Sequence, residues 1–369
     1  MAVEYFTPKE NTLYSINFQS SGWWETYTSE EGDDFLRARQ IEDPATRYPD
    51  GSIDDHHDSL WQFFKVAENS YALANYKYGN MWKIFKGTEY NCIRTGDLQD
   101  ETPLFSLIYD ESKQYIQLVV STTDVYGIID ADLSRGNDED YIRVQAATDF
   151  SFKIMEINSN PAKDSLAVLN LMQEIDEPTF INGTAPQSYP SEPMLMNEVY
   201  VPYFIVNDKT LASMGDRIQQ TPYYILRQYG QYGIIAEYKN GSAGTVTFVE
   251  TWEYGWSATV SLKVSAQLGF DLGIKLEENE IILKEMEEVN IKVDFGIELG
   301  ASVSGHGTYS KQIRAEAPPN NTIAIYGTNA FFELYQGDGT SAIASPNMPM
   351  KMNRRYVSIS QPYPNTEDE

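Results

Sequence analysis

The sequence predicts a mainly β protein with two domains, and three observations support this. Strand-like segments recur with a period of about 45 residues over residues 1–157. Two unusually long runs of strict apolar–polar alternation lie between residues 260 and 303. The length of 369 residues exceeds that of one typical domain. Because 41% of the residues are hydrophobic and 13% are aromatic, the chain can form packed cores, which excludes global disorder.

The charge and the cysteine content exclude several kinds of partner. The chain has 27 Lys and Arg residues against 54 Asp and Glu residues, a formal net charge of −27. This charge disfavours nucleic acid and electrostatic docking on anionic lipid, since both require basic patches. One cysteine, Cys92, excludes an intramolecular disulfide and a cysteine-based zinc site. Residues 54–58 hold two of the three histidines, but successive loop residues rarely chelate one ion, so we predict no metal and no cofactor.

The motifs of common enzymes and of secretion are absent from the sequence. No G-x-S-x-G, H-E-x-x-H or phosphate-binding loop occurs, so we predict that the protein is not an enzyme. The first 11 residues contain Glu4 and no apolar segment, which predicts no secretory signal.

The repeat predicts the fold of the first domain. Apolar pairs separated by one residue mark its units, and these pairs begin at Ile16, Trp61, Phe105 and Phe150. Further strand-like segments follow at residues 24–28, 71–75 and 115–119, and then at residues 36–39, 81–84 and 125–128. Three units with a closing strand are typical of a β-trefoil, although the period also suits a propeller blade. Because propellers have four or more blades, we favour a β-trefoil over residues 1–157.

Trefoils of this kind commonly bind sugars. Aromatic rings stack on the C–H faces of a sugar, while amides and carboxylates bind its hydroxyl groups. The candidate sugar-binding residues are Trp23, Trp24, Tyr76, Tyr78, Asn80, Asp124 and Tyr126. The alternative for each aromatic residue is a place in the core.

The repeat ends at a proline-rich stretch. Residues 158–195 contain Pro161, Pro178, Pro186, Pro190 and Pro193. This composition predicts a connecting linker, with a second domain over residues 196–369.

The second domain contains the pattern with the clearest functional meaning. Apolar residues occupy the even positions from 260 to 276 and the odd positions from 289 to 303, with polar residues or glycine between them. Since successive side chains of a strand point to opposite faces, each run has one apolar and one polar face. Both runs exceed the usual strand length, and we predict that they pair as a hairpin. Its apolar positions include Val260, Leu262, Val264, Leu268, Phe270, Leu272, Ile274, Val289, Ile291, Val293, Phe295, Ile297 and Leu299.

A long hairpin with two different faces is what a transmembrane β-barrel requires. The alternative, a half-buried sheet, explains the alternation but neither the length nor the small residues on the polar face. Residues 277–288 join the two strands, and by propensity a short helix is one alternative for them. In the pore interpretation they form the hairpin tip, and Ile281, Ile282 and Leu283 enter the bilayer.

Three segments resemble a known family. Residues 201–208 read VPYFIVND, residues 214–218 read MGDRI and residues 221–229 read TPYYILRQY. These segments are similar to the hallmark block of the Bin-like (Tpp) insecticidal crystal toxins. The resemblance covers nearly the whole chain in outline, including Pro318-Pro319-Asn320. The chain departs from the family at Tyr232-Gly233, where a tryptophan is common.

The resemblance implies an architecture and a mode of action. The front domain would be a ricin-B-like trefoil that binds a receptor or glycan of the insect gut membrane. The rear domain would be an elongated, aerolysin-like domain that assembles into a homo-oligomeric pore in the target membrane, in some members with a second toxin subunit. Such proteins form intracellular crystals in the sporulating bacterium, dissolve in the alkaline gut lumen and are trimmed by proteases.

Two features of the sequence bear on this implied life history. The carboxylates and 26 tyrosines would add negative charge as the pH rises, which favours alkaline solubilisation. The dibasic pair Arg354-Arg355 is the predicted protease site. The alternative function is a carbohydrate-binding protein that forms no pore.

Overall fold

The protein is mainly β, as the sequence predicts. The computed structural model describes residues 5–18, 22–28, 34–39, 59–67, 69–86, 91–96, 104–110, 115–121, 126–131, 140–145, 152–159, 174–211, 213–256, 271–275, 280–284, 291–293, 307–340, 342–345 and 350–362. The contacts between residues divide the chain into two compact units. The first comprises Met1–Leu166, Pro202–Tyr223 and Lys284–Ile291, and the second comprises Ala167–Val201, Tyr224–Leu283 and Lys292–Glu369. The predicted domain boundaries at residues 157 and 195 stay a prediction.

The first unit is built from short antiparallel strands. These are β1 (Thr12–Phe18), β2 (Gly22–Thr28), β3 (Asp34–Arg39), β4 (Trp61–Ala67), β5 (Ser70–Asn75), β6 (Met81–Lys86), β7 (Asn91–Gly96), β8 (Leu104–Asp110), β9 (Tyr115–Ser121), β10 (Tyr126–Ala131), β11 (Asp140–Gln145) and β12 (Phe152–Ser159). Strands β1, β4, β5, β8, β9 and β12 pair in this order, and β12 pairs back with β1. The sheet therefore closes into a ring, which protects the strand edges.

The other strands of this unit form three hairpins, β2–β3, β6–β7 and β10–β11. One strand of each hairpin pairs with the corresponding strand of the other two, through β3–β7, β7–β11 and β11–β3. The unit thus consists of a six-stranded ring and a triangular set of hairpins, and the pairing pattern repeats three times.

The strand pairing corrects the phase of the repeat. Strands β4, β8 and β12 hold equivalent places in the ring, and β1, β5 and β9 hold the other three. The 45-residue repeat predicts that Ile16 of β1 and Trp61 of β4 hold equivalent positions in successive units, and this prediction is wrong. Likewise, residues 24–28 lie in a hairpin strand, whereas residues 71–75 and 115–119 lie in ring strands. Alternate apolar residues are common to all ring strands, so this pattern alone does not distinguish β1 from β4.

The core of the first unit is aromatic. Trp82 contacts Trp61 and Phe105 edge to face, with ring centroids 5.4 and 5.2 Å apart. Tyr14 contacts Phe63 in the same way at 5.4 Å. All five rings are buried, and the edge-to-face geometry is favourable for their quadrupoles. The residues that mark the repeat at β4 and β8 are therefore core residues.

The segment Pro202–Tyr223 belongs to the first unit and has its own local structure. Helix α1 (Met214–Gln220) begins with a capping box, in which Ser213 and Asp216 bind each other's backbone N–H groups. The Arg217 guanidinium donates hydrogen bonds to the carbonyls of Val206 and Asp208, at 2.9 and 3.0 Å. These bonds hold the loop before α1 against the helix.

This segment packs tightly on β4 and on the turn after β5. Phe64 contacts the rings of Tyr203, Phe204 and Tyr223, with centroids 5.3 to 5.5 Å apart. The Tyr203 hydroxyl donates to the carbonyl of Gly79. Much of the block that resembles the crystal toxins is thus part of the packing of the first unit.

We expect Gly79→Ala to destabilise the first unit. Gly79 has φ +71°, and an added Cβ would overlap the carbonyl group of Met214. The left-handed backbone costs about 1 kcal/mol for alanine, and the overlap adds about 1–3 kcal/mol. The urea midpoint of unfolding should therefore fall clearly. Gly241→Ala is the control, since its added Cβ meets nothing within 4 Å; equal midpoints for the two variants would contradict the packing described here.

The remaining strands lie mainly in the second unit, and six of them have 11 or more residues. They are β13 (Ser188–Pro202), β14 (Tyr223–Asn240), β15 (Val246–Trp256), β16 (Asp271–Lys275), β17 (Glu280–Lys284), β18 (Ile291–Val293), β19 (Gly307–Ala317), β20 (Asn321–Tyr335), β21 (Ala342–Ala344) and β22 (Met350–Pro362). One sheet has the order β13-β14-β20-β22-β15-β19 with β21 beside β20, and a smaller sheet has the order β16-β17-β18. No helix in the described ranges is long and apolar enough to span a membrane.

Strand β20 is central to the core of the second unit. Ile323 and Ile325 belong to one apolar cluster with Trp252. Ala324 and Tyr326 belong to a second cluster, which Val357 and Ile359 of β22 also contact. Both faces of β20 are buried from Ile323 to Thr328, which explains why the apolar residues from Ile323 to Tyr326 are continuous rather than alternating.

Candidate functional site

Strands β15 and β19 flank the segment for which the sequence predicts a pore hairpin. They pair antiparallel over all 11 residues of β15, from Val246 opposite Ala317 to Trp256 opposite Gly307, with no bulge. The chain therefore leaves β15 and returns to β19 at directly opposed residues. Residues 257–306 are a single excursion from the end of this two-stranded ribbon.

The ribbon has two different faces. One face is exposed and mostly polar, and its opposed pairs are Thr247 with Glu316, Val249 with Arg314, Thr251 with Gln312, and Glu253 with Ser310. The other face carries Trp252, Ile313, Ala315 and Ala317, which are buried. Core-facing positions are therefore even-numbered on β15 and odd-numbered on β19.

The alternation of the predicted hairpin has the same phase as these flanking strands. Its apolar residues are even-numbered after β15 and odd-numbered before β19. Continuing the observed register residue by residue sets Val260 opposite Val303 and Ile274 opposite Val289. Every even-numbered residue from 260 to 274 then meets an apolar residue on the second strand. One register thus accounts for the patterning from residue 246 to residue 317.

The described part of the excursion forms the small sheet of β16, β17 and β18. Leu272 and Ile274 lie in β16, and Ile291 and Val293 lie in β18. Strand β17 lies between them, so the predicted direct pairing of the two hairpin strands is not present there. The hairpin residues Val260, Leu262, Val264, Leu268, Phe270, Val289, Phe295, Ile297 and Leu299 lie outside the described residues.

The alternative of a short helix at the tip is wrong for residues 280–284. Ile281, Ile282 and Leu283 lie in β17, a strand. Adjacent β-branched residues favour extended backbone over helix, which outweighs the propensity of the neighbouring glutamates.

The candidate sugar-binding residues have different environments. Tyr76 is buried, with 4% of its surface exposed, which agrees with a place in the core. Tyr78 is 43% exposed, and the Lys77 ammonium lies 5.2 Å from its ring centroid. Asn80 is half-buried, and its carbonyl accepts a hydrogen bond from the backbone of Asn75. Trp23 and Trp24 lie in β2 and Tyr126 in β10, while Asp124 lies outside the described residues.

The predicted protease site lies in a strand of the main sheet. Arg354 and Arg355 are part of β22, between its two segments that pair with β20. Tyr356 is opposite Gly327 and Met352 is opposite Thr328, so residues 353–355 form a bulge in the ladder. The dibasic pair is therefore followed by paired strand residues rather than directly by a tail.

Burial changes the expected charge of several tyrosines. Burial raises the pKa of Tyr76 to about 12, and burial, with a smaller effect of Glu237, raises the pKa of Tyr326 to about 12. Burial also raises the pKa of Tyr203 well above its usual value. These side chains stay neutral near pH 10, so any charge that assists alkaline solubilisation comes from other groups.

Sequence reasoning missed an ion pair in the second unit. Arg227 of β14 donates to Glu198 of β13, with 2.6 Å between Nε and Oε1, and Glu198 is 4% exposed. The Arg227 guanidinium also lies 3.9 Å from the ring centroid of Tyr335, whose hydroxyl donates to Glu333. The available signal was a single arginine within the apolar run of residues 222–229, which points to a buried partner.

A cavity of about 330 Å³ lies in the second unit. Its lining residues are Gly233, Ile234, Ile235, Glu250, Thr251, Trp252, Glu253, Gly327 and Asn329. A Cβ at Gly327 would come within 2.7 Å of the Trp252 ring, so this glycine makes room for the tryptophan. Within the described ranges, no cluster of three or more His, Cys, Asp or Glu residues is placed to hold a metal ion.

Comparisons with solved structures show which fold the chain shares. It is similar to the crystal structure of Cry35Ab1, with a TM-score of 0.63 and 18% sequence identity over 96% of this chain and 90% of that chain. The crystal structure of a lamprey immune protein matches with 11% identity over 98% of this chain and 96% of that chain, but its TM-score of 0.16 is too low to indicate a shared fold. No family model matches the chain. No curated protein matches it.

Proposed function

We propose that the protein is an insecticidal pore-forming toxin of the Bin-like (Tpp) type. Three lines support this proposal: the resemblance of residues 201–229, the fold shared with Cry35Ab1, a crystal toxin of the Tpp family, and the patterning of the flanked excursion. The patterning of residues 257–306 is the strongest support, because it concerns the chemistry of the segment that would enter the membrane.

In the proposed membrane form, β15 and β19 continue as one hairpin in their observed register. Residues 260–276 pair with residues 287–303, so that one face is apolar and meets lipid while the polar face lines the lumen. The same register sets Asp271 opposite Lys292 and Lys275 opposite Glu288, which places opposite charges side by side. About 9–11 residues of each strand cross the hydrocarbon, and the remainder extends the stem. Several copies of the chain would close the barrel, since a hairpin alone leaves open edges.

The first unit is proposed to bind the target. The closed six-stranded ring with three hairpins supports a β-trefoil assignment, and the exposed ring of Tyr78 is a candidate for sugar contact. In this proposal the protein forms crystals in the producing bacterium, dissolves in the gut lumen, binds a receptor or glycan of the gut membrane and inserts after proteolysis. A second toxin subunit is part of the proposal for targets that the protein alone does not permeabilise.

Dye release from gut-membrane vesicles at alkaline pH, after trypsin treatment, tests the pore. We expect release by the wild type and a loss of release by Phe295→Asp. A carboxylate on the lipid face costs on the order of 1–2 kcal/mol in each copy, so the initial rate should fall about ten-fold or more. Gln267→Asp is the matched control, because it puts the same charge on the polar face near the residue opposite Phe295.

The alternative is a carbohydrate-binding protein that forms no pore, and the exposed Tyr78 ring is the observation in its favour. Glycan binding without dye release, with vesicles and extract from gut cells, would support this alternative. Equal release by the two aspartate variants would contradict the proposed faces of the hairpin. A Phe295→Asp chain that fails to fold would place Phe295 in a permanent core.

A further inference from the structure

The small sheet of the second unit has an order that the pore hairpin does not allow. Strand β17 lies between β16 and β18 and is the hydrogen-bonded neighbour of both. The register of β15 and β19, continued along the chain, instead makes β16 and β18 direct neighbours, with Asp271 opposite Lys292. Because β18 cannot pair with β17 and β16 along the same edge, the two arrangements exclude each other.

We propose that β17 is an inhibitory strand, which keeps the two strands of the pore hairpin from pairing until the protein meets a membrane. This inference rests on the proposed pore function and adds its regulation. Before insertion, β17 satisfies the backbone hydrogen bonds of β16 and β18, so neither strand has an unpaired edge facing the other. Withdrawal of β17 is the step that lets β16 and β18 pair.

The composition of β17 couples its withdrawal to lipid. The strand reads Glu-Ile-Ile-Leu-Lys, and acidic residues dominate both sides of it. The sequence of the strand contains three successive apolar residues, for which water is a poor solvent. A bilayer offers Ile281, Ile282 and Leu283 an apolar environment, so leaving the sheet costs less at a membrane than in water. In the inserted form, β17 becomes part of the hairpin tip.

A cysteine pair distinguishes the two arrangements. Asp271→Cys with Lys292→Cys, in a Cys92→Ser background, places one thiol on β16 and one on β18. Strands that flank a third strand lie about 9.5 Å apart, beyond the Cα separation of about 7 Å that a disulfide spans. In the proposed hairpin the same two residues are directly opposite, with Cα atoms about 4.5–5.5 Å apart. With trypsin-treated protein at alkaline pH, we therefore expect only background cross-linking by copper–phenanthroline in the absence of membranes. After incubation with gut-membrane vesicles under the same conditions, we expect cross-linking of most chains.

The control pair is Lys275→Cys with Lys292→Cys in the same background. It sits four residues along β16 from the test pair, a shift of about 13 Å, so it should stay uncross-linked with and without vesicles. Cross-linking of the test pair in water would overturn the proposal, because β17 would then not separate the strands. Dye release by the test variant without cross-linking would also overturn it and leave the pore function standing. If neither the wild type nor the Cys92→Ser background releases dye, with vesicles and extract from gut cells present, the pore function and this inference would both be overturned.

Discussion

A chain that ends at Arg355 is expected to lose the cooperative unfolding of its second unit, whereas a chain that ends at Pro362 is expected to keep it. The shorter chain lacks residues 356–362, which pair one to one with β20 from Gly327 to Asn321. It also lacks Val357 and Ile359, which pack against a buried cluster of the second unit. Two half-buried side chains and seven paired residues together contribute on the order of 5 kcal/mol. That is comparable with the whole stability of many domains, about 5–15 kcal/mol.

Thermal unfolding followed by circular dichroism measures this difference. The chain that ends at Pro362 is the control, because it removes only residues 363–369, three of which are acidic, and leaves β22 complete. Similar unfolding midpoints for the two truncations would show that the second half of β22 contributes little. Cleavage after Arg355 would then be simple trimming, as the sequence suggests.

This expectation bears on the proposed cleavage at the dibasic pair Arg354-Arg355. A protease binds its substrate in an extended, accessible form, and Arg354-Arg355 lies inside a strand whose following residues are paired. Either β22 opens locally before the protease cuts, or the protease cuts while residues 356–362 stay paired in the sheet. In both cases cleavage of the peptide bond and release of residues 356–369 are separate events.

The sequence predicted the strands better than it predicted their partners. Alternation located β1, β4, β8 and β12, because the face that a residue occupies is a local property of a strand. It could not assign β1 and β4 to different ring positions, since pairing depends on residues far along the chain. The same limit applies to the hairpin, whose two faces are visible in the sequence while the position of β17 between β16 and β18 is not.

The candidate site was predictable to the extent that its chemistry is periodic. The even and odd apolar positions of residues 260–303 needed only counting, whereas the register that relates them appears with the pairing of β15 and β19. The role of Gly79 was not predictable, because its contact with Met214 joins residues 135 positions apart in the sequence. In the sequence Arg227 is visible only as part of the segment of residues 221–229, since its partner Glu198 lies on another strand.

The second large effect concerns this ion pair. We expect Arg227→Met to lower the free energy of unfolding by about 3–5 kcal/mol, because it leaves the carboxylate of Glu198 buried without its guanidinium partner. The change also removes the guanidinium from the Tyr335 ring. Urea unfolding measures the loss. Arg314→Met is the matched control: Arg314 is exposed on β19, and its loss should cost less than about 0.5 kcal/mol.

Adding Glu198→Leu to Arg227→Met is expected to restore most of the lost stability. A buried ion pair is costly to desolvate, so replacing both members with apolar groups of similar size is often close to neutral. Recovery in the double variant would mean that the cost of Arg227→Met comes from burying the Glu198 carboxylate without the guanidinium. Additive losses would mean instead that each side chain contributes through its own contacts, such as that of Arg227 with Tyr335. The two side chains would then stabilise the second unit through their packing between β13, β14 and β20, and an apolar pair could not replace them without loss.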